Sequence, residues 1–246
     1  MDTSKTLGEK KVNEFKVEPL TVIKKSKRQI QLSVLPDPAE SRPYLMLISA
    51  KTGSGKSILI ANLLKKKELY YKYYAKCYFC SSNMVDGEIS DVAYKGIRFA
   101  KSRMHDNFTD EIFDSILEDI TKDPDWKDEQ YLLVLDDLST VFERPTRQML
   151  KNFLKHRHYN LSIIIVSQAI RLMNPKLRQN ATHLISFYTS NQREREALNE
   201  LTNLSQNKFD ELLEYCTDEN YCFMFIDLLQ PRKPKIYKNF NSEIVY

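Results

Sequence analysis

Three stretches of the chain are apolar almost without interruption: residues 44–49 (YLMLIS), 131–135 (YLLVL) and 161–166 (LSIIIV). Runs of this length, bounded by polar residues, read as strands buried on both faces of a parallel sheet. Residues 57–65 (SILIANLLK) carry an apolar stripe at helical spacing. Strands are expected at 75–81 and 97–100. A helix is expected over 110–121, with Thr109 as its N-cap. Further on, the pattern predicts a helix over 145–156, a strand over 183–188, and helices over 192–201 and 206–215. Two final apolar stretches, 221–228 and 235–240, flank Pro231 and Pro234 and predict a C-terminal β-hairpin. Alternating strands and helices point to an α/β fold with a mainly parallel central sheet flanked by helices. No internal repeat interrupts this order.

Composition narrows the class. The chain has 246 residues, of which 42% are hydrophobic and 28% charged, which is ordinary globular usage and excludes disorder throughout. Five glycines and nine prolines exclude collagen-like and low-complexity chains. No run approaches the roughly 18 apolar residues of a membrane span, and the first residues lack the apolar core of a secretory signal. A soluble intracellular protein with no membrane partner is expected. The net charge of +4 permits nucleic-acid contact without arguing for it. Residues 1–42 hold nine Lys/Arg against six Asp/Glu. A boundary after Pro36-Asp-Pro38 separates a basic N-terminal arm, 1–40, from the domain formed by 41–246. Cys77 and Cys80 make a C-x-x-C inside a strand-like stretch, and Cys216 and Cys222 make a wider pair. With no histidine at zinc-finger spacing, buried free thiols are favoured over a metal or redox site.

Two of the scarce glycines, Gly53 and Gly55, fall in Ala50-Lys51-Thr52-Gly53-Ser54-Gly55-Lys56-Ser57, between the first apolar run and the first helix. This is a phosphate-binding loop with Ala in its first position. Such a loop wraps a triphosphate with backbone N–H groups, so the main chain must come close and glycine supplies the dihedrals. The helix behind points its positive end at the phosphates. Lys56 brings a charge to the β- and γ-phosphates of ATP, and Ser57 a hydroxyl to Mg²⁺.

A loop of this kind needs a carboxylate at the end of a neighbouring strand. The run 131–135 ends in Asp136-Asp137. Asp136 is expected on Mg²⁺ and Asp137 as the base that polarises the attacking water, where many such ATPases carry Glu. The strand 161–166 ends in Ser167-Gln168. Gln168 suits a γ-phosphate sensor because its amide both donates and accepts; a strand-end amide that merely bonds a loop is the alternative. Arg157 just before this strand and Arg178 just after it could reach a neighbour's γ-phosphate, although most arginines are surface residues. The strand-rich spacing between the loop and the acidic strand fits the RecA-like (ASCE) division of P-loop NTPases.

Together AKTGSGKS, YLLVLDD, RHYNLSIIIVSQ, PKLRQN and HLISFY resemble the FtsK–HerA ATPases, and within them the genome-packaging ATPases of large DNA viruses and virophages. The resemblance covers roughly 44–200. It implies a homo-oligomeric ring around double-stranded DNA, ATP hydrolysis coupled to DNA translocation into a preformed capsid, and a capsid or portal protein as docking partner. It implies host-cytoplasm localisation in a viral factory, with retention in the virion left open. It supports the roles of Lys56, Ser57, Asp136, Asp137 and Gln168, and raises Arg157, with Arg178 second, as a trans-acting finger. Lys101-Ser-Arg103 and Lys65-Lys66-Lys67 are candidate DNA-gripping segments, though solvated charge is the commoner meaning of such runs. The alternative is another DNA-dependent ATPase, such as a helicase or replication ATPase. A small-molecule kinase lacks an Arg-rich lid here, a GTPase lacks an N-K-x-D motif, and a non-catalytic scaffold would not need all four of Lys56, Ser57, Asp136 and Asp137.

Overall fold

The computed structural model describes residues 34–246 apart from 86–87, 90–93, 95–96, 98 and 231–232; the expected arm, 1–40, lies outside the described residues up to 33. Its described end packs down. Leu35 is buried, Tyr70 donates to the Pro36 carbonyl at 2.8 Å, and Tyr73 hydrogen-bonds Asp37.

The elements run β1 (Leu45–Ser49), α1 (Lys56–Lys65), β2 (Lys76–Ser81), a two-stranded ribbon of β3 (Met84–Val85) and β4 (Glu88–Ile89), β5 (Met104–His105) and α2 (Asp110–Thr121). Then come β6 (Tyr131–Asp136), α3 (Ser139–Glu143), α4 (Arg147–Lys155), β7 (Leu161–Ser167), α5 (Pro175–Gln179) and β8 (His183–Phe187). The chain closes with α6 (Gln192–Asn199), α7 (Gln206–Cys216), β9 (Phe223–Asp227), β10 (Lys235–Lys238) and β11 (Ser242–Glu243). Among the described residues the main sheet has nine strands in the order β11-β10-β9-β8-β1-β7-β6-β2-β5. All pairings from β8 to β5 are parallel, and those from β8 to β11 are antiparallel. The order places β7 between the phosphate-loop strand β1 and the acidic strand β6, the RecA-like arrangement.

Alternation along the strands sorts two cores, one on each face. Tyr44, Met46 and Ile48 face α1 and the aromatic residues Tyr70, Tyr73 and Tyr74. Leu45 and Leu47 face the opposite layer, which α2, α4, α5, α6 and α7 cover with Phe113, Phe153, Leu177, Leu198 and Phe209. Strands β6 and β7 are buried at every position, because both faces carry helices.

Most expected elements stand within a residue or two. Thr109 caps α2, accepting from Ile112 N–H. The helix expected over 145–156 begins later, at Arg147, because Thr146 is its cap and accepts from Met149 N–H at 3.0 Å. Beyond Lys155 it tightens into a 3₁₀ turn ending at Asn160, whose φ is 49°. Among the described residues of 97–100 the expected strand is absent; Ile97 and Phe99 are half-buried and Ala100 is exposed. Phe99 packs on Phe79 at 5.2 Å between ring centroids, while the neighbour of β2 is β5, with Met104 opposite Phe79. The C-terminal hairpin forms, but it joins the edge of the main sheet through β8–β9 and carries the additional strand β11.

Candidate functional site

The parallel strands end together, and their C-terminal ends carry the candidate residues. Ser49 lies opposite Ser167 across the β1–β7 pairing, and Asp136 opposite Val166. The loop after β1 starts with Ala50, which is buried and donates to the Ser167 carbonyl at 3.1 Å. A small residue is required at this buried turn, and alanine meets the requirement. Ser54 folds back on the Lys51 carbonyl through its N–H at 3.2 Å and its hydroxyl at 2.7 Å. Gly53 and Gly55 have φ of 82° and 98°, the left-handed region that L side chains rarely adopt. Gly55 then caps α1, which leaves the first N–H groups of that helix directed at the loop. Lys51 and Thr52 are exposed, and Lys51 donates to Ser190 Oγ at 3.4 Å.

Lys56 Nζ lies 3.4 Å from Asp136 Oδ1, and Tyr94 donates to Asp136 Oδ2 at 3.1 Å. Asp136 is 3% exposed. Burial raises its pKa above the ordinary carboxylate value, while the Lys56 charge and the Tyr94 hydroxyl pull it back. Its Oδ1 lacks a hydrogen-bond partner; the lysine compensates its charge without a well-formed hydrogen bond. A buried carboxylate oxygen on Asp136 without a hydrogen-bond partner, together with the buried Ser57 in the first turn of α1, fits a small hard cation. Mg²⁺ needs few protein ligands when substrate phosphates complete its shell, and this donor set is of that kind.

Asp137 turns sharply off the strand with φ 58°, a conformation that costs a non-glycine residue about 1–3 kcal/mol. The turn sets its carboxylate between two amides. Gln168 donates to Oδ1 at 3.3 Å and Asn83 to Oδ2 at 3.1 Å. Ser82 Oγ also donates to the Asp137 carbonyl at 2.8 Å. The expected base and the expected sensor are therefore in direct contact.

The two arginines stand apart from this cluster. Arg157 lies in the 3₁₀ turn before β7, at the opposite end of that strand from Gln168. Burial and the Arg42 charge lower its pKa. Arg178 is held within the chain by Glu200 at 3.3 Å. Of the segments considered for gripping DNA, Lys101–Arg103 forms a 3₁₀ turn in which Arg103 sits 3.8 Å from Asp119. The Lys65-Lys66-Lys67 run closes the far end of α1. All four cysteines are free, Cys80 and Cys216 buried and Cys77 and Cys222 partly so. Burial raises the Cys77 thiol to about 12.

Three residues carry no sequence signal and still shape the site. Tyr94 and Asn83 reach Asp136 and Asp137 from the stretch after β2. Glu194 is buried on α6. It accepts from Ser49 Oγ at 3.2 Å, from Ile170 N–H at 2.7 Å and from Arg171 N–H at 3.2 Å. One carboxylate thus ties the end of β1 to the segment that follows Gln168. Each lies outside any motif, and only the tertiary fold brings it in.

The family model described as Poxvirus A32 protein matches residues 37–217. No curated protein matches the chain. Among solved structures, the genome packaging NTPase B204 from Sulfolobus turreted icosahedral virus 2 in complex with AMPPCP is similar, with a TM-score of 0.59 at 17% identity. The match covers 83% of this chain and 99% of that one. The DNA-packaging ATPase B204 from Sulfolobus Turreted Icosahedral Virus gives a TM-score of 0.57 at 18% identity over 80% of this chain and 98% of that one. The pCW3 conjugation coupling protein TcpA with ATPγS gives 0.52 at 13% identity, over 81% of this chain and 61% of that one. At these identities the likeness is one of fold, and the fold is that of RecA-like P-loop ATPases.

Proposed function

From the premise that the chain belongs to the Poxvirus A32 protein family, we propose that it is an ATP-hydrolysing motor that packages double-stranded viral DNA into preformed capsids. The observation that carries this reading is the Lys56–Asp136 pair at the start of α1 and the end of β6, with Asp137 and Gln168 joined beside it. The likeness in fold to packaging ATPases from Sulfolobus viruses supports the same direction. Residues 1–40 act as an arm on the ATPase domain formed by 41–246. The protein works in the host cytoplasm, at the viral factory, as a ring of identical copies docked on a capsid or portal protein. Among the described residues, no helix is long and apolar enough to cross a membrane.

The roles follow from position. Residues 50–57 cradle the triphosphate of ATP with backbone N–H groups, and Lys56 leaves Asp136 to neutralise the β- and γ-phosphates. Ser57 and Asp136 hold Mg²⁺, which when bound offsets phosphate charge during transfer. Asp137 takes a proton from the attacking water. Gln168 has two amide hydrogens; one stays on Asp137 and the other reads the γ-phosphate. Arg157 is offered to the neighbouring copy's nucleotide, since it lies at the opposite end of β7 from Gln168, and Arg178 is the second candidate once freed from Glu200. Loss of the γ-phosphate then relaxes the interface and moves the DNA grip, whose contacts are electrostatic and sequence-independent.

The test is ATP hydrolysis by the purified chain with and without linear duplex DNA, with Lys56→Ala as control. Several-fold stimulation by duplex, absent from the control, is the expected result. Hydrolysis indifferent to DNA counts against a self-sufficient motor. Because the fold is shared with a conjugation coupling protein, a strand-displacement assay separates packaging from another DNA-dependent ATPase: a packaging motor moves along duplex without opening it.

A further inference from the structure

We infer that Tyr221 forms a base-stacking wall of the nucleotide site, with the nucleobase of a nucleoside triphosphate as its ligand; the inference rests on the phosphate-loop reading above. The antiparallel pairing of β9 with β8 sets Phe223 opposite Phe187. The start of β9, and the loop before it, therefore lie at the same end of the sheet as the phosphate loop. Phe223 and Phe225 belong to the face that α1 covers, and Tyr221 reaches α1 at its first turn. A Cβ built on Gly55 would meet the Tyr221 ring at 2.9 Å, so the ring lies directly on the glycine that opens the helix. Glycine is demanded there by its φ of 98°, and its lack of a Cβ lets the ring come this close.

Nothing in packing requires an aromatic residue at 221. Its side chain is 67% exposed, and its backbone is held at φ 67°, a strained setting for a bulky residue. An exposed ring, fixed by a strained turn against the loop that grips the phosphates, presents a face where the base leaves that loop. Every base has a π-face, so stacking is tolerant of base identity. Tyr221 thus supplies affinity for ATP and GTP alike, and the choice between them lies elsewhere.

The experiment compares calorimetric binding of ATP and of inorganic tripolyphosphate, each with Mg²⁺, to the full chain. Tyr221→Ala is expected to weaken ATP about tenfold and to leave tripolyphosphate within twofold. Tyr221→Phe, which keeps the ring, restores ATP affinity. Equal weakening of both ligands by Tyr221→Ala overturns the inference, because Tyr221 would then act only on the shape of the loop at Gly55. Unchanged ATP affinity in Tyr221→Ala overturns it as well. Lys56→Ala separates the two levels by losing both ligands. If it loses neither, or if the wild-type chain binds neither, the phosphate-loop reading itself fails.

Discussion

At the scale of single residues, the charged groups of the site are paired with one another. Lys56 and Asp136 compensate each other, and under the proposed roles nucleotide binding exchanges that partner for phosphate. Lys56→Ala leaves Asp136 buried with one hydroxyl donor. We expect this variant to lose about 3 kcal/mol of stability at neutral pH without any ligand. Its sign with pH is fixed by the raised pKa of Asp136. The folded state holds the proton more tightly than the unfolded state, so the loss grows as pH rises through the carboxylate range. Denaturant titrations at pH 5 and pH 8 should show the smaller deficit at pH 5. Asp137→Asn keeps the size of the side chain and removes the base; its single amide oxygen accepts from Gln168 or Asn83, and the other amide must flip to offer its oxygen. It should lower the hydrolysis rate about 10²- to 10⁴-fold with ATP affinity retained. A fall in affinity matching the fall in rate would assign Asp137 to binding instead. Glu194→Ala strands two backbone N–H groups, Ile170 and Arg171, and should cost about 2–3 kcal/mol. A loss below about 0.5 kcal/mol would mean that the segment after Gln168 does not depend on that carboxylate.

At the scale of elements, the chain advertises its motifs and conceals the contacts between them. The phosphate loop was legible because glycine is scarce and two of the five sit in eight residues. Asp136, Asp137 and Gln168 were legible because each ends an apolar run. Thr109 was legible as a cap because an apolar stripe starts just behind it. Thr109→Ala should therefore cost about 1 kcal/mol and lower Tm by a few degrees, measurable by thermal unfolding. Strand pairing was not legible at 97–100, where Ile97 and Phe99 half-bury their side chains against the core while Met104 and His105 take the pairing. Periodicity reports burial, and burial does not require a ladder partner. Nor could Tyr94, Asn83, Glu194 or Tyr221 be found, since each is brought to the site by a connection that no local pattern encodes. The hairpin was read correctly as two strands; its attachment to β8 was not legible, because it depends on the edge that the parallel strands leave open.

At the scale of the whole molecule, two buried histidines make the fold sensitive to acid. His156 donates through Nδ1–H to the Leu161 carbonyl, and burial lowers its pKa to about 4. His183 sits against Thr182 and Phe225, and burial also lowers it to about 4, against the opposing pull of Asp227. Both are neutral in the folded state and take up protons first on unfolding. Stability is complete above the ordinary histidine value of 6.5 and is lost as pH falls from 6.5 toward 4. Unfolding midpoints should drop through that interval, with a shallower slope in His156→Gln; an equal slope would place the acid response in other groups. The sheet itself ends, among the described residues, in two-residue strands on both sides, β5 and β11. So short an edge offers almost no free main-chain donors and acceptors to a second chain. These described edges are therefore a poor template for stitching copies together through backbone ladders, as amyloid-prone or strand-swapped assemblies are. The ring proposed above would then be joined by side chains on helices and loops, contacts that can slide and re-form with each turnover.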